Sequence, residues 1–257
     1  MSLVELHRLV DAFRTSSRGL LLLTALLVCA SGPWAHAATA FVPTARPVPG
    51  GIAVVPVGPS SDTAPIVRFG EQRVMVVASA GEWLALVGLP LAQEPGPATL
   101  NVSVQGKPAR SLSFDVTGYA YATQALRVAP RHVDLAPEDA ARAERERPHI
   151  RKMLTTWSDA APPTLELKLP VQGRRSSPFG LRRTFNGQSR NPHSGLDLAG
   201  PVGTPVLAPA AGRVIDVGDY FFNGLSVFVD HGQGLVTLYC HLSAIDVRVG
   251  DQVAVGD

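Results

Sequence analysis

The sequence predicts a mainly β protein in which two β domains are joined by a helical connector, and three observations carry that expectation. With 22 Pro and 24 Gly in 257 residues, turns must be frequent and long helices few. Short runs rich in β-branched and aromatic residues recur between those turns over most of the chain. A charged stretch near residues 137–157 interrupts them and has helical character. The length is enough for two cores, and 46% hydrophobic with 17% charged residues is ordinary for a globular protein. A net charge of +2 is too small to indicate a nucleic-acid partner, and none is expected.

Residues 1–37 read as an export signal. Arg8, Arg14 and Arg18 precede an apolar run over residues 20–30, and Ala35-His-Ala37 offers a small-x-small cleavage site. The run is short for a transmembrane helix, so no stable span is expected after signal cleavage, and the protein is expected in the periplasm or cell envelope. Without the signal, 20 basic and 19 acidic residues remain, and Cys240 is the single cysteine. No intramolecular disulfide is then expected, and Cys240 is most simply a small buried apolar residue. Nothing in these residues sets an oligomeric state.

Residues 38–130 open with a Pro- and Ala-rich lead-in and continue as a small β-sandwich. Strands are expected over 52–57, 66–69, 73–79, 83–89, 99–105 and 112–119. Alternation is plain in Val102/Val104 and Leu112/Phe114/Val116, and Glu94-Pro-Gly-Pro97 and Gln105-Gly106 mark turns. No His lies between Phe41 and Pro130, so catalytic chemistry is not expected there.

Residues 131–165 form the connector. Pro137 suits the first helical turn, followed by Glu138 and Asp139, whose charges complement a helix N-terminus. The alternating charges over 142–147 belong on a solvated face, His132 and His149 are expected to be exposed, and Pro148 should kink or split the helix before residues 150–157.

Residues 166–257 carry the chemistry, in an antiparallel sheet with frequent Gly hinges. In Asn191-Pro-His-Ser-Gly-Leu-Asp-Leu-Ala199, His193 and Asp197 are donors of types that zinc accepts. Pro192, Gly195 and Gly200-Pro201 argue against a helix. In an extended strand the two Cα atoms would be roughly 13 Å apart, so a bend at Ser194-Gly195 is needed to bring them to one metal. The same spacing occurs at His7 and Asp11, so the pair alone carries little. In Leu235-Val-Thr-Leu-Tyr-Cys-His241, period two puts Val236, Leu238 and Cys240 on an apolar face. Thr237, Tyr239 and His241 fall on the other, expected to be wet or to form a site. Asp230-His-Gly-Gln-Gly234 reads as the turn between two strands, with His231 in it. Five Arg (174, 175, 182, 183, 190) and no acid lie between Pro170 and Asn191, as either a basic rim for an anionic polymer or a solvated loop.

His193-Ser-Gly-Leu-Asp-Leu-Ala199, Gly203-Thr-Pro-Val206, Asp230-His-Gly-Gln-Gly234 and Leu238-Tyr-Cys-His-Leu-Ser243 together resemble the lysostaphin/LytM-type zinc metallopeptidases, the M23 family. Pro49-Gly-Gly51 and Val87-Gly-Leu-Pro90 are similar to an N-terminal domain found in some bacterial members. The resemblance implies that His193 and Asp197 are Zn2+ ligands, that His241 is catalytic, and that the substrate is the peptide part of peptidoglycan. The Arg-rich segment, with Arg182 and Arg183, would face substrate carboxylates, and Tyr239 would lie beside the substrate. The family's third zinc ligand and second catalytic histidine come from a His-x-His motif beyond the Tyr-x-His strand, and the last His here is His241. The peptidase domain is therefore expected to be incomplete and the 257 residues alone inactive or impaired. The competing expectation is a non-catalytic relative that binds cell wall or regulates another hydrolase. A lipoyl-type binding module is disfavoured, because no Lys follows Lys168.

Overall fold

Six strands enclose the first core: β1 (Ile52–Pro59), β2 (Ile66–Phe69), β3 (Gln72–Ser79), β4 (Glu82–Gly88), β5 (Gly96–Ser103) and β6 (Arg110–Val116). They pair antiparallel in the order β1-β4-β3-β2-β5-β6 in a computed structural model that describes residues 41–127 and 135–257. The signal expected over residues 1–37, and His132, lie outside the described residues. Alternate side chains point inward: Ala53, Val55 and Val57 from β1, Ala85 and Val87 from β4, and Ala98, Leu100 and Val102 from β5 join Val67, Val74 and Val116 in one cluster. β3 serves both halves, since Arg73 and Val74 pair with β2 while residues 75–79 pair with β4. A strand shared in this way lets a sheet turn over on a single core, as in a small sandwich. Arg110 of β6 closes the turn by donating to the Val57 carbonyl of β1. The strands found are those that alternation predicts, within three residues at each end.

Beyond the sandwich come β7 (Thr123–Leu126), the helix α1 (Pro137–Leu154), and eight strands: β8 (Arg174–Ser177), β9 (Arg182–Phe185), β10 (Gln188–Ser189), β11 (Asp197–Ala199), β12 (Gly212–Tyr220), β13 (Gly224–Gly232), β14 (Leu235–Leu242) and β15 (Gln252–Val253). β7 does not join the sandwich; it runs parallel to β9 in a sheet ordered β10-β9-β7. β8 pairs with β11, and the main sheet is ordered β14-β13-β12-β15.

Pro137 opens α1, with Glu138 and Asp139 in its first turn and Arg151 and Lys152 in its last. The expected break at Pro148 is absent: α1 runs unbroken to Leu154. An internal Pro costs a helix about 3 kcal/mol, and contacts on both sides of it offset that cost. Before Pro148, Arg142 donates to the Asp219 carbonyl at 2.9 Å, and the Glu146 carboxylate accepts the Phe221 N–H at 2.7 Å. After it, His149 meets Asp216 at 3.0 Å and stacks on Tyr220. The charges assigned to a solvated face thus tie the helix to β12, and His149 is exposed as expected while bonded to Asp216. No described helix is long and apolar enough to cross a membrane.

Both faces of the main sheet are covered. Phe228 on β13 is fully buried, pairs with Leu238 across the strands and packs edge-on against Tyr220, on the side where α1 docks. On the opposite face Val214, Val227 and Val229 pack with Tyr239 and Leu242 beneath Ile245, Val247 and Val253.

Two outcomes test this architecture. Leu100→Ala, at the centre of the sandwich, is expected to cost about 2–5 kcal/mol in chemical denaturation. For α1, burial opposes the charge on Glu146, but the Phe221 N–H and the Arg142 guanidinium outweigh it and hold the carboxyl below its usual value. A carboxyl lowered on folding contributes stability above its unfolded pKa and loses it as pH falls through the folded one. Denaturation midpoints should therefore drop on acidification below the ordinary carboxylate range, and Glu146→Gln should be less stable at neutral pH and lack that step.

Candidate functional site

His193 and Asp197 meet because the chain bends at Gly195 before Asp197 enters β11. His193 Nε2 lies 3.1 Å from Asp197 Oδ1. Asp197 is held by pairing opposite Ser177 of β8, where a register shift leaves Ser176 as the extra residue.

The imidazole is fixed from its other nitrogen. Nδ1 is 3.0 Å from the Pro178 carbonyl and 3.2 Å from Ser177 Oγ. A carbonyl only accepts, so in the tautomer that satisfies Pro178 the hydrogen is on Nδ1, and Nε2 of the neutral ring keeps its lone pair towards Asp197. A lone pair and a carboxylate oxygen at 3.1 Å need a proton or a metal cation between them. Ser177 is buried and is held in turn by Arg183, whose Nη2 donates to its Oγ at 2.9 Å while Nε donates to Gln124 Oε1 at 3.3 Å. The backbone completes the cradle: Gly180 N donates to the His193 carbonyl at 2.7 Å, and His193 N donates to the Leu181 carbonyl at 3.0 Å. In the sequence, Ser177-Pro-Phe-Gly180 reads only as a turn; its service to an imidazole further along the chain depends on the β8–β11 pairing.

Among the described residues His241 does not join that pair in a group that could hold a metal. Period two would put it beside Tyr239, but Val227 pairs with Tyr239 and Leu225 with Leu242, leaving Ser226 opposite both Cys240 and His241. This bulge moves Leu242 into the phase that His241 would occupy. His241 takes φ +58°, unusual for a non-Gly residue, and donates its backbone N–H to the Asn223 carbonyl at 2.7 Å. Its side chain is exposed and has no hydrogen bond among the described residues. A Cβ on Gly224 would lie 3.5 Å from its Nδ1, so Nδ1 is the ring atom beside the backbone.

The face carrying Thr237 and Tyr239 is core-facing rather than wet. The Tyr239 ring packs against Val214, Val227 and Val229, and its hydroxyl meets Thr237 Oγ1 at 2.8 Å. Burial raises the Tyr239 pKa above the usual tyrosine value, outweighing the lowering effect of Thr237. His231 is likewise not a turn residue. It lies in β13, 3% exposed, with Nδ1 2.8 Å from the Ala211 carbonyl and Nε2 2.8 Å from Thr237 Oγ1. With the ring neutral, Tyr239 donates to Thr237, Thr237 donates to His231, and His231 donates to Ala211. Polar residue types hid this arrangement, because each hydrogen-bonding group is satisfied inside the sheet. Arg182, by contrast, is exposed on β9 with no side-chain partner among the described residues. Also among the described residues, no third His, Cys, Asp or Glu joins His193 and Asp197 in a group that could hold a metal.

Residues 191–257 match the family model described as Peptidase family M23, and residues 45–118 match Peptidase family M23 N-terminal domain. A crystal structure described as a candidate M23 peptidase from Pseudomonas aeruginosa aligns with a TM-score of 0.67 at 42% identity, over 82% of this chain and 80% of that one. The peptidoglycan DD-endopeptidase ShyA of Vibrio cholerae is 39% identical over 84 residues, which are 32% of this chain and 20% of that protein. An uncharacterized metalloprotease of Buchnera aphidicola is 33% identical over 100 residues, which are 38% of this chain and 26% of that protein. The chain therefore spans about a fifth to a quarter of the length of these curated relatives.

The buried chain behind β14 is open to direct test. Thr237→Val removes both the donor to His231 and the acceptor for Tyr239 without changing shape. It is expected to cost about 1–3 kcal/mol for each polar group left unpaired, read as a lowered denaturation midpoint.

Proposed function

The chain belongs to peptidase family M23, and on that premise we propose that it is part of a zinc endopeptidase hydrolysing the peptide bonds of bacterial cell-wall peptidoglycan. Family membership and the metalloprotease relative imply a metal cofactor, and the donor set supports the assignment of His193 Nε2 and Asp197 Oδ1 as ligands. Two donors on one tetrahedral zinc, each about 2.0–2.1 Å from it, lie roughly 3.3 Å apart, close to the 3.1 Å found here. With Nδ1 committed to Pro178, no internal donor other than a proton on Nε2 itself satisfies this pair. That separation is the observation that carries the reading. A catalytic zinc takes three protein ligands; the pair supplies two of them, and no third joins them among the described residues.

A bound zinc ion would supply Lewis acidity towards the scissile carbonyl and a water acidified towards neutrality. The chain's own residues do the rest. Asp197 contributes negative charge, and Ser177, Pro178 and Arg183 keep the His193 ring from turning. His241 is assigned proton transfer and stabilisation of the developing oxyanion through Nε2, since Nδ1 lies against Gly224. Its positive φ is the kind of backbone strain that collects at working sites. Arg182 is assigned to substrate carboxylates as an exposed cation without a side-chain partner among the described residues. Arg183 supports Ser177, and Tyr239 supports the sheet behind the site. A peptidoglycan substrate would call for a location outside the cytoplasm, the one that the export signal read from the sequence of residues 1–37 would also give.

One observation favours a second reading. With no third ligand beside the pair among the described residues, the same fold would serve as a non-catalytic cell-wall-binding or hydrolase-regulating protein. In a protein carrying these residues with a full ligand set, His193→Ala or Asp197→Ala should lower zinc affinity at least tenfold. His241→Ala should keep the metal and reduce release of peptides from purified peptidoglycan roughly 100-fold or more. Unchanged release by His241→Ala would remove it from the mechanism, and peptidoglycan binding with no release by the intact protein would establish the second reading.

A further inference from the structure

No catalytic chemistry is expected of the sandwich, yet one of its turns packs against Phe179, in the turn that holds His193. Pro49-Gly50 is anchored on the sandwich side, where Gly50 N donates to the Leu89 and Pro90 carbonyls at 3.0 and 3.1 Å. On the other side Gly50, at φ +80°, lies so close to Phe179 that a Cβ would stand 2.7 Å from the ring. Only glycine tolerates both that conformation and that approach.

Tyr121 completes the contact. Its hydroxyl donates to the Pro49 carbonyl at 2.8 Å, and its ring meets Phe179 edge-on at 6.2 Å between centroids. Gly180, at φ +81°, lies flat against the same ring, where a Cβ would come within 2.1 Å of Tyr121. Phe179 and Gly180 are the middle of the turn whose Ser177 Oγ, Pro178 carbonyl, Gly180 N–H and Leu181 carbonyl hold His193.

We propose that the sandwich is a working part of the site: its Pro49-Gly50 turn, with Tyr121 and Phe179, braces the turn that orients His193. The brace rests on the reading of His193 as a metal ligand. Tyr121 and Phe179 are positioning residues, since they touch neither the metal nor the substrate. A metal-ligating imidazole depends on the partner of its second nitrogen, and loss of such support typically weakens metal binding 10–100-fold. The sandwich then acts on chemistry it does not itself perform.

The test uses the full chain with two readouts, the tautomer and ring signals of His193 in the metal-free protein by 15N NMR, and the affinity for Zn2+ alone by competition with a chromophoric chelator. Phe179→Ala is expected to mix the His193 tautomers and weaken Zn2+ binding about tenfold. Tyr121→Phe keeps the ring, loses the bond to Pro49 and should weaken binding about fivefold, and it decides the matter if Phe179→Ala does not fold. Phe179→Leu, which restores bulk, should recover most of the loss. Val67→Ala, in the sandwich core, should lower the denaturation midpoint while leaving His193 signals and Zn2+ affinity unchanged, separating bracing from general stability. Wild-type His193 signals in both Phe179→Ala and Tyr121→Phe overturn the proposal. The metal reading itself is decided in the protein with a full ligand set, and in a wild-type chain that binds no Zn2+ the tautomer readout still decides the brace.

Discussion

The hydrogen bond from His193 Nδ1 to the Pro178 carbonyl commits one ring nitrogen and leaves Nε2 facing Asp197 at 3.1 Å. In the other tautomer the same ring would present an N–H to the carboxylate and a lone pair to Ser177 Oγ and the Pro178 carbonyl. A single local choice therefore decides whether the pair is an internally satisfied contact or a place for a cation. The neighbouring structure serves that choice. β8 pairs with β11 so that Ser177 lies opposite Asp197, the 177–181 turn donates and accepts along the His193 backbone, and Arg183 fills the remaining valence of the serine.

The main sheet provides a different kind of support. A sheet with one wet face could carry its site on that face, but here α1 covers one side and residues 245–253 the other. The side chains along β14 are then half-buried, with one exception where the alternation fails. It fails at the bulge opposite Ser226, and His241 is the residue exposed there. Tyr239, one pleat earlier, is drawn into the core with its hydroxyl tied through Thr237 to His231. The bulge thus separates two residues that lie two positions apart into different roles.

The helix and the sandwich show how remote elements bear on the same region. α1 survives an internal proline because polar anchors on both sides of it grip β12 and its following turn. The sandwich contributes a glycine turn held by its own backbone and pressed on Phe179, two residues from Ser177. Both are contacts between segments far apart in the chain, and both depend on groups that look unremarkable alone: a surface Arg-Glu pair and a Pro-Gly turn.

The sandwich's strand positions, the helix start at Pro137, the need for a bend at Gly195, and the donor types of His193 and Asp197 were legible from the residues alone. Each follows from a property the chain carries locally: side-chain alternation, the fixed φ of proline, the freedom of glycine, and the chemistry of imidazole and carboxylate. The packing of Tyr239 against the core, the burial of His231, the displacement of His241 from their face, the continuity of α1 through Pro148, and the service of Ser177 and Pro178 to His193 were not. A residue's polarity does not say whether its partners arrive from elsewhere in the chain. Only tertiary structure decides which face is covered, where a bulge shifts the register, and which carbonyl meets which ring nitrogen, because those outcomes depend on segments that fold against each other across long stretches of sequence.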